Sequence, residues 1–404
     1  MTETPKRRGR AWKILGVVVG VIVACVAGLL LWVNAVAGRK FDEIDRRSKA
    51  MAAEWRARDA GRPVLRGAAE PGNAWDDYNP CLSEIKKTKD ISRLGSLVVR
   101  DPKGDPEFGK AMLATHVKAL ELLRQGAGRA TSRYAYAWEQ GSNMQMPAFS
   151  TAQNLANLAV LQARALAEAG KPKEAAALLL DLCQFGRDFG DDGVLISEMI
   201  GSALLQLALA EARDLMSANL LDADSLRDLE AGLAVLETSF PRHARTLDNE
   251  AIYTGVTLRD FAASANYGIA RLFFANAFER CVDWYGQAAK ADALPWMESQ
   301  SRIAVIDQES KSTWNPYARM LLPALSGTGR VGRHRRVQLR MIRIAAHYKA
   351  AGTLLDLDDP FGSKMKTSLA GDTLKIWSVG PDGVDDGGDG RWQDGKDFVL
   401  ELKK

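Results

Sequence analysis

The sequence predicts a mainly α protein: an N-terminal transmembrane helix, an all-α body of helical hairpins, and a small C-terminal β-hairpin and loop segment. Three observations lead there. Residues 14–38 contain no charged side chain and are dense in Val, Leu and Ile. Apolar positions recur at helical spacing from about residue 110 to residue 351. At Asp356 the composition changes abruptly to Asp, Gly and short alternating runs. The 404 residues carry 54 Lys or Arg against 50 Asp or Glu, with 47% hydrophobic and 26% charged residues. That balance is ordinary for a globular chain and excludes disordered, collagen-like and low-complexity classes. Four Cys and four His, widely scattered, speak against a disulfide scaffold and a His-rich metal enzyme.

The N-terminal run sets the address. About 20 apolar residues at roughly 1.5 Å each cross a hydrocarbon core of about 30 Å, and residues 14–37 meet that length. Trp12 and Trp32 stand near its two ends, where indoles favour the interface. A basic tip, residues 1–13, holds Lys6, Arg7, Arg8, Arg10 and Lys13 against Glu3 alone. Beyond the run, Arg39, Lys40, Arg46, Arg47 and Lys49 are interleaved with Asp42, Glu43 and Asp45. The compact N-terminal cluster favours an N-in, C-out signal anchor in a bacterial inner (cytoplasmic) membrane, with the rest periplasmic. Ile22-Val23-Ala24-Cys25 loosely matches a lipoprotein cleavage box, but Leu29 to Val33 continue the apolar run where a polar tether belongs. In residues 38–61, Phe41, Ile44, Met51 and Trp55 recur at helical spacing before Gly61-Arg62-Pro63. A stalk helix leaving the bilayer and an amphipathic helix packed on the body both fit that pattern.

Residues 62–355 form the body. A turn-rich lead-in, broken at Asn79-Pro80, Asp101-Pro102 and Asp105-Pro106, leaves room for short helices only. Thr151 to Ala169 places Leu155, Leu158, Leu161, Ala165 and Leu166 on one side. Gly170-Lys171-Pro172 then turns the chain into a second helix that ends near Phe189-Gly190. The pair resembles one tetratricopeptide hairpin, without a 34-residue repeat to extend it. Further helices are expected at Leu195–Met216, after Asp222 or Asp224, over a long Phe- and Tyr-rich stretch from Arg245 to about Ala289, after Asn315-Pro316, and at Val331–Ala351.

Chemical motifs are sparse. Gly327-Thr328-Gly329-Arg330-Val331-Gly332 spells GxGxxG, but it follows a Leu-rich helix and lacks the strand a dinucleotide site needs, so a helix–helix connection is expected. Arg333, Arg336, Arg340, Arg343 and His347 make one stripe beside Val337, Met341, Ile344 and Tyr348. A salt-bridged face is the plain expectation for it, and an extracytoplasmic address argues against nucleic acid. No HExxH, GxSxG or Walker pattern occurs. Glu250 and Asp260 are the acids a hydrolase reading would pair, and Cys81, Cys183 and Cys281 are equally readable as one bridge plus a thiol or as buried thiols.

The tail, residues 356–404, opens with Asp359-Pro360-Phe361-Gly362. Two alternating runs, Ser363 to Ser368 and Thr373 to Val379, then flank Ala370-Gly371-Asp372. Ser378-Val379-Gly380-Pro381-Asp382-Gly383 leads to Asp385-Asp386-Gly387-Gly388-Asp389-Gly390, then Asp394, Asp397 and a last strand from Phe398. Carboxylates spaced by glycines suit Ca²⁺, a hard cation that takes six to eight oxygens. These residues resemble the C-terminal segment of type II secretion major pseudopilins. The resemblance implies a calcium-binding loop with Asp382 and Asp397 as side-chain ligands and Ser378 and Asp394 beside them. It covers roughly the last 50 residues. The apolar run has neither the Gly-Phe cleavage pair of that family nor its Glu at the fifth mature position. As a whole the chain is similar to a group of uncharacterised membrane-anchored bacterial proteins that join a helical body to such a tail. The expectation is a membrane-anchored, non-enzymatic scaffold with an envelope protein partner and a Ca²⁺-steadied tail. An envelope hydrolase with an acidic pair in a helical cleft is the alternative.

Overall fold

The computed structural model describes residues 6–101, 103–240, 243–264, 268–322, 325–389 and 396–403, with backbone alone for 6–16, 268 and 269. The side chains of the basic tip and of Trp12 therefore lie outside the described residues, as does Asp394. The first described element is one unbroken helix, α1 (Lys6–Ala57), 52 residues long. No proline interrupts it, so neither end of the apolar run forces a break.

The lead-in follows as β1 (Glu70–Asn73), α2 (Ala74–Lys86), α3 (Leu94–Val98), α4 (Pro106–Thr115), α5 (Val117–Gly128) and β2 (Arg129–Thr131). The expected break at Asn79-Pro80 does not occur, because Pro80 sits inside α2. Burial of Trp75, Tyr78, Cys81, Leu82 and Ile85 on one face of α2 offsets the lost backbone hydrogen bond. β1 and β2 form a short parallel pair that the sequence pattern does not reveal.

α6 (Phe149–Glu168) and α7 (Pro172–Gly190) match the expected pair, with Gly170 at φ 75° between them and Pro172 in the first turn of α7. α8 (Leu195–Ser217) is apolar and long enough to cross a membrane, yet its face of Leu204, Leu205, Ala208, Leu209 and Ala212 is buried in the body. α9 (Ala223–Ser239) starts where Asp222, rather than Asp224, accepts the Ser225 amide at 2.8 Å. The long pattern after Arg245 divides into α10 (His243–Ser264) and α11 (Gly268–Asp292). An unforeseen helix, α12 (Trp296–Ser312), precedes α13 (Pro316–Leu321), which Asn315 caps.

α14 (Leu325–Ala351) contains all three glycines of the GxGxxG string, so the expected connection is helix instead. Asp307 on α12 accepts the Leu325 and Ser326 amides at 3.1 and 3.3 Å. That cap, supplied from another helix, lets α14 start earlier than its own residues signal.

The tail forms a three-stranded antiparallel sheet, β3 (Lys366–Ala370), β4 (Thr373–Ser378) and β5 (Phe398–Lys403), with β4 in the middle. Gly371 at φ 58° makes the β3–β4 turn. Leu374, Ile376, Phe398, Leu400 and Leu402 share one core with Val337, Met341 and Ile344 of α14. The sheet is thus a flank of the body.

The two halves of α1 differ. Val17 to Val19, Val21 to Val23, and Leu29 to Trp32 are exposed, whereas Ala37, Ile44, Ser48, Ala52 and Trp55 are buried. Those five lie on one helical stripe, which packs on α10 and α11. Gly255 of α10 makes this approach possible, since a Cβ there would meet Ser48 Oγ and Phe278 at 2.6 Å. At the far end Trp55 donates to the Asp192 carbonyl at 3.1 Å and packs edge-on against Trp138. The stalk and the packed amphipathic helix are one and the same element.

α7 and α8 approach closely as well. A Cβ on Gly201 would fall 2.4 Å from the Gly186 carbonyl oxygen and 2.8 Å from the Gly190 nitrogen, both backbone atoms. Gly201→Ala should therefore cost roughly 1–3 kcal/mol in denaturant unfolding through overpacking. Gly286→Ala, facing open space in α11, should be neutral or gain up to about 1 kcal/mol from helix propensity. Equal stabilities for the two variants would refute the close approach.

Candidate functional site

The tail loop is built by hydrogen bonds to carboxylates. Asp359, buried, accepts the Ser378 hydroxyl at 2.7 Å, the Val379 amide at 2.8 Å and the Phe361 amide at 2.9 Å. Asp359 therefore fastens the end of β4 to the Asp-Pro-Phe-Gly turn. Ser378 is engaged there, donating to Asp359 and accepting the Gly380 amide at 3.3 Å. Past it, Gly380, Gly383, Gly387 and Gly388 all have φ between 69° and 73°, so the loop coils through conformations that glycine adopts without strain.

Asp385 accepts Trp377 Nε1 at 2.9 Å and the Gly387 amide at 3.0 Å, which hold its pKa below the usual carboxylate range. Asp397 is 1% exposed, and its Oδ2 accepts the Gly388 amide at 2.7 Å. Its Oδ1 is buried without a hydrogen-bond partner in the structure. Burial pushes this carboxyl up, the Gly388 and Asp386 amides pull it down, and the Asp385 and Asp386 carboxylates raise it further. Asp382 is exposed and accepts the Val384 amide at 3.0 Å. Among the described residues no three His, Cys, Asp or Glu side chains converge as a metal would need. One orphaned buried carboxylate oxygen beside a glycine-rich backbone is what the loop offers a hard cation.

The loop is anchored to the helices by rings. Trp296 at the start of α12 donates Nε1 to the Pro381 carbonyl at 2.7 Å and meets Phe361 edge-on at 4.9 Å. Phe361 stacks on Phe398, which stacks on His334 of α14 at 4.4 Å.

Three arginines of the stripe, Arg333, Arg340 and Arg343, reach neighbouring elements. Arg343 forks onto Glu230 at 2.7 Å and reaches Glu237 at 2.6 Å, while Arg340 pairs with Glu237 at 2.5 Å and with the Asp358 carbonyl. Arg333 donates to the Pro360 and Leu294 carbonyls at 3.0 and 2.9 Å. The stripe thus clamps α14 to α9 and to the start of the tail, as a salt-bridged face should.

Glu250 and Asp260 do not form a pair. They lie ten residues apart on α10, about 15 Å along its axis. Glu250 accepts the Leu195 amide at the start of α8 at 2.9 Å, and burial pushes its carboxyl up to about 7. Asp260 accepts the Ser142 amide and pairs with Arg259. The larger clefts also hold paired acids. In one of about 440 Å³, Asp191 lies 3.4 Å from Arg187 and 3.7 Å from Arg245. In another of about 540 Å³, Arg66 forks onto Asp181 at 2.6 and 2.7 Å. Cys81, Cys183 and Cys281 are free and buried, and burial raises all three thiols.

Sequence reasoning missed the buried pair His243–Glu198, whose Nδ1 and Oε2 are 2.7 Å apart, with Arg335 at 3.6 Å from Oε1 and Thr328 at 3.2 Å from Nε2. Burial alone would raise Glu198, but His243 and Arg335 hold it down at about 2. His243 is penalised by burial, yet Glu198 carries its pKa above the ordinary value. The four partners come from α8, α10 and α14, which no local spacing connects. No family model, curated protein or solved structure matches the chain.

Two of these groups predict the same pH trend. His243 is raised in the fold, so its contribution is full below about pH 6.5 and is lost as pH rises through the folded pKa. Glu250, a raised carboxyl, costs stability as pH rises from about 4.5 to 7. These two groups therefore pull stability down as pH rises above about 5, while His334, which burial pushes down to about 4, opposes them up to about pH 6.5. Glu250→Gln should flatten that slope and raise Tm at pH 8, whereas His243→Gln should lower stability most at pH 5. A pH-independent Tm in both variants and the parent would refute the assignment.

Proposed function

We propose that the protein is a single-pass scaffold of the bacterial inner membrane that presents an extracytoplasmic helical body to an envelope protein partner. The observation that carries this reading is the division of α1 into an exposed apolar half and a half buried in the body. A helix that exposes valines and leucines all round needs a hydrocarbon neighbour, and one that buries a single stripe belongs to a water-soluble core. A binding role is favoured over hydrolysis because the acids in the larger clefts are held by arginines and Glu250 and Asp260 face different elements. Carbonate extraction and protease protection of the full chain test the anchor. An extractable chain, or a body cleaved only from the cytoplasmic side, overturns it.

In this reading the tail loop takes Ca²⁺. The ion would supply positive charge among aspartates that otherwise repel. Asp397 through its orphaned Oδ1, together with Asp382 and Asp394, would hold it with backbone carbonyls of the loop. Ser378 would act by holding Asp359 and the loop entrance in place, since its hydroxyl is engaged there. The resemblance of this segment to pseudopilins supports both the ion and a link to secretion machinery.

The ion is tested on the full chain in detergent, because removing residues before 62 would strip the buried stripe of α1. Ca²⁺ at about a hundredfold over its Kd should stabilise by about 2.7 kcal/mol. The combined change Asp382→Asn and Asp397→Asn should abolish that shift while leaving the helical far-UV signal unchanged. No shift in the parent at millimolar Ca²⁺ overturns the site.

A further inference from the structure

The end of the body nearest the apolar run carries a surface of exposed rings. Its level follows from pairs along α1. Arg58 donates to Asn249 at 2.8 Å, Ser48 faces Gly255, and Asp45 lies 3.7 Å from Arg259, so α10 runs antiparallel to α1. Arg271 sits over the Phe41 ring at 5.8 Å and Arg47 over Phe278 at 5.2 Å, so α11 returns parallel to it. The ends of α10 and α11 that face each other are therefore level with residues near Phe41. That is within about 5 Å, at 1.5 Å per residue, of Gly38, where the charge-free run ends. Burial reaches further still. Ala37 is 1% exposed and Val33 and Val36 are half-buried, inside the charge-free run itself.

The composition at this end is unlike the rest of the body. Between Phe261 and Ala277 the only charged residue is Arg271, in a chain that is 26% charged. Phe261 is 37% exposed, and Trp314 is 61% exposed while packed edge-on at 5.1 Å against Phe273. Asn315 donates to the Phe273 carbonyl at 2.7 Å and so pins Trp314 at that level. Exposed Arg39 and Lys311 stand nearby in sequence. Rings at the exit level of an apolar helix have the make-up of an interfacial belt.

We infer that the facing ends of α10 and α11, with Phe261, Phe273 and Trp314, form a foot that sinks into the bilayer interface where α1 emerges. The occupant of this surface is lipid, because α1 fixes the foot at the depth of its own apolar run. The inference rests on the membrane-anchored reading, and its test separates the two. The full chain is reconstituted in phosphatidylcholine–phosphatidylglycerol vesicles and nitroxide-labelled at single cysteines. Native Cys25 reports the span. Trp314→Cys and Phe261→Cys report the foot, and Val99→Cys, 74% exposed, reports water, these three in a Cys25→Ser background. The three buried thiols remain unlabelled. Oxygen and a water-soluble nickel chelate then compete as relaxing agents.

The expected result is a several-fold lower nickel accessibility at 314 and 261 than at 99, with oxygen accessibility raised. Nickel accessibility at 314 and 261 equal to that at 99, with position 25 in lipid, overturns the foot and leaves the anchor standing. Position 25 open to nickel overturns the anchor and the foot with it. Labels at 314 and 261 shielded from both agents would mean that protein, such as a second copy, covers the surface, and would also overturn the foot.

Discussion

The carboxylate of Asp188 is wholly buried, and the body is arranged so that it is never alone. Arg62, from the segment that follows α1, lies 3.0 Å away with both side chains almost inaccessible. Tyr78 of α2 donates at 2.9 Å, Gln184 at 3.1 Å and the neighbouring Arg187 at 3.1 Å. Arg62 in turn donates to the Gly126 and Ala127 carbonyls at the end of α5. Burial raises the carboxyl and the two guanidiniums oppose that rise. Removing one donor leaves a charge in a low-dielectric interior, at a cost of several kcal/mol. The lead-in segment, α2, α5 and α7 therefore have one mutual arrangement rather than several, and α6, α8 and α9 pack on the α7 so fixed.

What was legible in the sequence follows from how local each determinant is. Pro172, Asp222 and Asn315 mark helix starts through atoms within three residues of themselves, and those starts fall where expected. The apolar run and the strands around Gly371 are equally local. The α10–α11 break was hidden because apolar residues continue on both sides of it. α12 has few core positions, chiefly Trp296, Ile303 and Ile306, so its period was weak. The helical state of the GxGxxG string depends on Asp307, eighteen residues before Leu325, and that is tertiary information.

The sites obey the same division. The glycine and aspartate spacing of the tail loop showed in the sequence, as did the Asp359-Pro360-Phe361-Gly362 stretch, but that Asp359 fastens Ser378, 19 positions later, did not. The arginine stripe was visible as a stripe. Its partners, Glu230 and Glu237, are seven residues apart on α9 and thus on one face, a signal that names acceptors only once the two helices are known to touch. His243 and Glu198 had no signal at all. Buried charge pairs that join distant helices are the part of a fold that a one-dimensional pattern carries least.

α1 has no hinge. It passes without proline from its exposed apolar half into a stripe locked under α10 and α11. Placed in a bilayer, such a helix makes anchor and body one lever, and a change in tilt at one end becomes an equal tilt at the other. The body can neither swivel freely nor extend away on a tether. With the helix in a bilayer the reach of the body would be its own height, and anything it binds would have to come to the membrane surface to meet it.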